Sequence, residues 1–129
     1  MNLLSNIYSW LGYAQPITES EKIAIAVQLG GLPVGTLRAE NGEWVFVYSA
    51  EFLKQNEIKP IVDFPNLNRE YRSKTLWPFF ALRIPSPAQA AVQEFMHNRG
   101  ISEVDQGTLL KRFGRKSIAN PFELVPLAA

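Results

Sequence analysis

Residues 22–48 constrain the fold more strongly than any other part of this 129-residue chain. Apolar side chains occupy every second position of residues 23–29, which is the pattern of a strand with one buried face. Gly30-Gly31 and Asn41-Gly42 supply the backbone freedom that tight turns need. Two further strands rich in β-branched and aromatic residues are predicted over residues 34–39 and 44–48. The pattern predicts a three-stranded antiparallel meander.

The chain directly after the meander is predicted to be mostly irregular. Ser49 suits the N-cap of a short helix over residues 50–55, because its side chain can accept a backbone amide hydrogen bond. Prolines and asparagines interrupt residues 57–75, where only Ile61 and Val62 indicate a short edge strand.

Two helices are predicted in the C-terminal third of the chain. Ser86 and Pro87 are typical of a helix start, and Gly100 is expected to end that helix. The second helix is predicted to begin at Ser102 and to end at Gly114. The fold class is therefore α+β, an antiparallel meander with short helices packed against it.

One domain is predicted over residues 17–129, following a helical extension over residues 1–16. The composition, with 47% apolar and 19% charged residues, is typical of a globular chain. Apolar residues at helical spacing precede Pro16, and residues 121–125 are predicted to form a last strand.

No run approaches the roughly 18 apolar residues of a membrane span, and the N-terminus lacks the positive region of a signal peptide. We expect a cytoplasmic protein.

Few side chains in this sequence are suited to catalysis. The chain has no cysteine and one histidine, which excludes disulfides, thiolate chemistry and histidine-rich metal sites. His97 falls at the end of a predicted helix, where a cation complements the helix dipole, and no serine stands in a nucleophile-elbow pattern. Residues 30–35 lack the Lys-Ser/Thr pair of a phosphate-binding loop. A metal site made of carboxylates alone would need acidic residues at clustered spacing. The following glutamates do not show such spacing: Glu19, Glu21, Glu40, Glu43 and Glu51. We expect no catalytic residue, metal or cofactor.

Lys111, Arg112, Arg115 and Lys116 form a basic cluster around Gly114. One interpretation is a solvated helix end whose charges complement the helix dipole. The other is a contact with phosphate or with an acidic partner surface. The net charge of +1 and the small number of charges in the cluster favour the first interpretation, so no direct nucleic-acid binding is expected.

Residues 76–85, here called the aromatic segment, combine three large aromatic side chains, two prolines and one arginine. Tryptophan and arginine are enriched among the residues that dominate binding energy at interfaces, and proline pre-orders the backbone. We expect the two phenylalanines to point inward, while Trp77 and Arg83 face a partner. The predicted partner-binding residues are Trp77, Pro78, Phe79, Phe80 and Arg83.

Five motifs follow one another in a fixed order within residues 22–118. They are Val34-Gly35-Thr36-Leu37, Phe46-Val47-Tyr48, the Pro-Phe-Phe element at residues 78–80, Gly100-Ile101-Ser102, and the leucine-bearing stretch at residues 109–115. Their order and spacing resemble the N-terminal subdomain of the HipA toxin kinases. Ser86 and Pro87 stand where that subdomain carries a glutamate and a glycine.

The resemblance implies a function without catalysis. The chain holds no kinase catalytic loop and is too short for a kinase core. It is similar to the small antitoxin subunit of three-gene HipBST systems. This implies a HipT-like Ser/Thr kinase that is bound and inhibited in trans, and a HipB-like helix-turn-helix DNA-binding protein in a larger complex. Two alternatives stay open, a nucleic-acid-associated transcriptional regulator and a purely structural complement of a kinase complex.

Overall fold

The structure is a computed structural model that describes residues 14–18 and 22–128. Within these residues the strands are β1 (Ile23–Leu29), β2 (Leu32–Glu40), β3 (Glu43–Tyr48), β4 (Tyr71–Ser73) and β5 (Glu123–Pro126). The helices are α1 (Ala50–Leu53), α2 (Pro78–Ala81), α3 (Ala90–Arg99) and α4 (Gln106–Phe113). The strands form one antiparallel sheet in the order β4-β3-β2-β1-β5. The predicted α+β fold is confirmed.

The meander forms where the sequence predicts it. Gly30 and Gly31 take φ angles of 54° and 85° between β1 and β2. Asn41 and Gly42 take φ angles of 51° and 78° between β2 and β3. Both turns therefore use the left-handed backbone that glycine and asparagine tolerate, and they match the right-handed twist of the strands. β5 adds to the free edge of β1 through pairs such as Val27 with Leu124.

The two faces of the sheet differ in chemistry. The register places Ile25, Leu37, Phe46 and Tyr71 in one row across four strands, and all four side chains are buried. The other face carries ion pairs between two arginines and two glutamates, with distances of 3.1 to 3.7 Å. These residues lie on β2, on β4 and directly before β4. They are Arg38, Glu40, Glu70 and Arg72. The core therefore lies on one side of the sheet, and the other side is solvated.

Aromatic rings fill the centre of the core. Phe46 stacks on Phe64 with ring centroids 4.2 Å apart, and Phe80 lies 5.9 Å from Phe46. All three side chains are fully buried. Each such ring contributes about 2–3 kcal/mol through burial alone, so the irregular loop of Phe64 and the aromatic segment of Phe80 are both anchored to the meander.

The predicted edge strand at Ile61 and Val62 is wrong. The Phe64 amide donates to the Ile61 carbonyl at 2.8 Å and closes a turn there. The Ile61 amide donates to the Tyr48 hydroxyl at 2.9 Å, so it is not free to join a strand ladder. The edge of the sheet is instead β4, which pairs with β3.

The start of α3 differs from its prediction by three residues. The helix begins at Ala90, because the Ser86 hydroxyl accepts the Ala88 amide in a local turn instead of capping a helix. It ends at Gly100, which takes the left-handed conformation that the sequence indicates. Val92 and Met96 of this helix are buried, whereas Ala91 is exposed.

The start of α4 is also later than predicted. Asp105, not Ser102, is the N-cap residue, and its carboxylate accepts the Thr108 amide at 2.7 Å. The helix ends at Gly114 as expected. Its two central leucines serve different cores, because Leu109 packs with α3 whereas Leu110 belongs to the core under the sheet.

Of the predicted N-terminal extension, residues 14–16 are described and lie against the domain. The Gln15 amide donates to the Val104 carbonyl at 2.7 Å, and the Gln15 carbonyl accepts the Gln106 amide at 2.8 Å. The remainder of that predicted helical extension, residues 1–13, lies outside the described residues. No helix in the described ranges is long and apolar enough to cross a membrane.

Gly35 occupies a point of close approach between β2 and β3. A Cβ atom there would lie 2.6 Å from the Val47 carbonyl oxygen and 2.7 Å from the Phe46 ring. We expect Gly35→Ala to lower the free energy of unfolding by about 2–3 kcal/mol, measured by urea denaturation. Gly30→Asn is the control, because that turn position is open and asparagine tolerates its φ. Equal losses in the two variants would contradict the steric explanation.

Candidate partner-binding surface

The aromatic segment forms one helical turn instead of an extended arm. Pro78 takes the first position of α2, where its missing N–H needs no partner. The next amide, that of Phe79, donates to the Asp63 carboxylate at 2.9 Å. The turn is therefore fixed by a side chain of the loop before β4.

The structure partly confirms the orientations predicted for the phenylalanines and for the tryptophan of this segment. Phe80 is fully buried, as predicted, whereas Phe79 is only half-buried. Trp77 is also half-buried, and its ring packs edge-on against Phe64 with centroids 4.9 Å apart. The indole therefore packs on the core and stays partly accessible.

The predicted outward orientation of Arg83 is wrong. Its side chain is buried, with 6% of its surface exposed. Its guanidinium donates to the Gly114 and Arg115 carbonyls at 3.2 and 3.3 Å. It also donates to Asn120 Oδ1 at 2.6 Å and to the Phe122 carbonyl at 2.8 Å. Burial lowers the pKa of the guanidinium, and four oxygen acceptors offset part of that desolvation. Arg83 is therefore a structural residue.

An apolar groove of about 360 Å³ lies beside the aromatic segment. Pro78, Phe79 and Leu82 line it from α2 and the residue that follows. Residues 59–63 and parts of residues 117–122 form its other walls. The groove thus lies where three chain segments meet, and the aromatic segment provides one of its walls.

Large apolar side chains around this groove are accessible to solvent. Val62 and Leu82 line the groove with exposed fractions of 92% and 76%. Ile118 lies between two lining residues and is fully exposed. The ionisable side chains in the lining are Lys59 and Asp63. Such a surface suits an apolar contact with another molecule.

Tyr48 holds the loop that forms one wall. Its hydroxyl donates to the Phe64 carbonyl at 2.8 Å and accepts the Ile61 amide at 2.9 Å. Burial raises the pKa of Tyr48 to about 12. Tyr48, Asp63 and Arg83 thus each fix one wall of the groove through hydrogen bonds to backbone atoms.

The predicted basic cluster is divided in the structure. Arg115 pairs with Glu123 at 3.5 Å, whereas Lys111 and Arg112 line a different pocket together with Arg99. Lys116 is exposed and lines neither pocket. The possible phosphate contact of these residues stays a prediction, and Arg99 is absent from the sequence-based set because it lies on another helix.

Sequence reasoning also missed the exposed apolar residues of the groove. Val62 and Leu82 stand in apolar or proline-rich stretches of the sequence, whereas Ile118 follows a basic stretch, and all three are of residue types that are common in cores. Their only signal was proximity to proline or serine breakers, which does not reveal the side that a side chain faces. His97, by contrast, is exposed in the last turn of α3, as the helix-end interpretation expects.

Comparison with known proteins agrees with the motif order. A family model described as the HipA N-terminal domain matches residues 25–119 of the 129-residue chain. The match begins within β1 and ends shortly before β5, so it includes the aromatic segment and most of the groove. No curated protein matches the chain significantly.

We expect Arg83→Lys to destabilise the domain although it keeps the charge. One ammonium cannot reach all four acceptors of the guanidinium, so buried carbonyl oxygens lose their donors. The expected loss is about 2–3 kcal/mol in urea unfolding. The same change at exposed Arg69 is the control and should cost less than about 0.5 kcal/mol. Similar losses at both positions would contradict the role of Arg83.

We expect Tyr48 to make stability depend on alkaline pH. An unfolded tyrosine releases its proton near pH 10, whereas folded Tyr48, with a pKa of about 12, keeps it. The folded state therefore binds more protons between these values, so its Tyr48-dependent stability is complete below pH 10 and decreases above it.

The measurement is urea unfolding of wild type and Tyr48→Phe at pH 8 and pH 11. At pH 8 the variant should be less stable by about 1–2 kcal/mol, because the Ile61 amide loses its acceptor. At pH 11 that difference should be clearly smaller, since phenylalanine does not titrate. A difference that is constant with pH would contradict the expectation.

Proposed function

This chain belongs to the HipA N-terminal domain family, which is linked to toxin–antitoxin systems, and from this premise we propose that it is a non-catalytic antitoxin subunit. It would bind a HipT- or HipA-like Ser/Thr toxin kinase in trans and inhibit it. The family supports the kind of partner, and the groove beside the aromatic segment supports the place of contact.

The exposed apolar side chains around one groove carry this proposal. Single exposed apolar residues are ordinary, but Val62 and Leu82 both line one groove with apolar walls, and exposed Ile118 stands between two of its lining residues. The walls are fixed by Tyr48 and Arg83 through hydrogen bonds to backbone carbonyls. A partner that docks there meets a preformed surface, so little ordering entropy opposes binding.

Trp77 is the candidate for the inhibitory contact. It is half-buried at the start of α2, next to the groove residues Pro78 and Phe79. Tryptophan is enriched among the residues that dominate interface energies. We place the accessible part of its indole near the nucleotide cleft of the kinase, where it would disfavour the active arrangement. Phe80 and Arg83 would support this surface from inside.

The test is co-purification with a HipA-like Ser/Thr kinase that lacks its own N-terminal domain, taken from the same genome. Wild-type protein should form a complex and lower the autophosphorylation rate of the kinase. Leu82→Gln should weaken the complex at least about tenfold, because it removes an exposed apolar contact. Leu53→Gln is the matched control, since Leu53 is exposed outside the groove. Equal effects of the two substitutions would contradict the site.

Trp77→Ala separates binding from inhibition. It should reduce inhibition of the kinase more strongly than it reduces complex formation, and a thermal melt checks that the variant is folded, because part of the indole packs on Phe64. If wild-type protein forms no complex, the proposal fails. A complex without inhibition would favour the purely structural complement.

A further inference from the structure

A second pocket collects positive charge at the other helices. It has a volume of about 370 Å³ and lies between α3, α4 and the end of β5. Its lining residues are Phe95, Arg99, Thr108, Lys111, Arg112 and Pro126. None of them lines the apolar groove, so the two surfaces are separate.

The ring of Phe95 gathers two guanidinium groups from different helices. The Cζ atom of Arg99 lies 5.1 Å from the ring centroid, and that of Arg112 lies 5.6 Å from it. Both distances are those of cation–π contacts. Phe113 packs edge-on against the same ring at 5.9 Å. The aromatic pair between α3 and α4 therefore contacts both arginines at the pocket that they line.

These cations have no carboxylate partner within the part of the chain that the structure describes. The ion pairs among the described residues involve Arg38, Arg72 and Arg115, but none of Arg99, Lys111 and Arg112. Three like charges around one pocket repel one another. An anion bound among them would relieve that repulsion and would receive charge-assisted hydrogen bonds.

We propose that Arg99, Lys111 and Arg112 form a binding site for a phosphate monoester. Guanidinium forks match the oxygens of a phosphoryl group, and a dianion suits three cations that line one pocket. The hydroxyl of Thr108 already donates to Asp105 at 3.1 Å, so the three cations provide the donors. The site lies outside the groove assigned to the kinase and does not depend on that assignment.

The charge distribution favours a single phosphate group over a nucleic-acid backbone. Backbone binding needs a row of cations that contact successive phosphates. Here Arg115, the next basic residue along the chain, is paired with Glu123, and the net charge of the chain is only +1. Arg99, Lys111 and Arg112 therefore line one pocket, and the ion pair of Arg115 interrupts the row of free cations along the chain.

The experiment is a titration of the full-length chain at low ionic strength, followed by NMR or calorimetry. The probes are inorganic phosphate, O-phosphoserine, unmodified serine and a short DNA duplex. Phosphate and phosphoserine should bind, whereas serine should not. The double variant Arg99→Gln/Arg112→Gln should weaken phosphoserine binding at least about tenfold. Lys116→Gln removes one exposed charge outside the pocket and should bind as wild type does.

Lys111→Gln provides a second variant in case the double substitution impairs folding, because Lys111 is exposed on α4. It should also weaken phosphoserine binding. The proposal is overturned if neither phosphate nor phosphoserine binds, or if Lys116→Gln weakens binding as much as the pocket variants do. DNA binding without phosphoserine binding would also overturn it, in favour of a nucleic-acid surface.

Discussion

The guanidinium of Arg83 joins parts of the chain that no strand pairing connects. It follows α2, and its acceptors lie at the end of α4 and in the connection to β5. Burying a charge costs several kcal/mol, and removing its partners would leave that cost unmatched. The position of residues 114–122 relative to the aromatic segment therefore depends on this side chain together with the edge-on contact between Phe79 and Phe122. Because these residues form a wall of the groove, the groove depends on both as well.

The sequence predicted the parts of the fold that local rules determine. The alternation in β1 and the turns at Gly30-Gly31 and Asn41-Gly42 can be recognised within a few residues. The three-residue strand β4 could not, because only Tyr71 in it is buried and its pairing depends on β3. Arg83 shows the same limit. Its residue type suggested an interface, but its acceptors lie 31 to 39 residues further along the chain.

The candidate surfaces show why proximity in sequence is a poor guide to a site. Lys111 and Arg115 are four residues apart in the sequence, but α4 ends at Phe113, so helical periodicity no longer relates them. Arg115 instead reaches Glu123, and Lys111 lines the same pocket as Arg99 of α3. The basic cluster in the sequence is thus two features in space, and the groove likewise combines residues from three separate segments.

Helix α4 links the two surfaces physically. Leu110 anchors it in the core under the sheet, and Leu109 anchors it in the smaller core with α3. Its C-terminal end is held where Arg83 binds the Gly114 and Arg115 carbonyls, so the basic side of the helix and the groove wall are fixed by neighbouring residues. Such rigidity matters for the proposed binding function, because association energy that is not used to order loops remains available to hold a partner. Both surfaces are therefore built on positions that packing has already ordered.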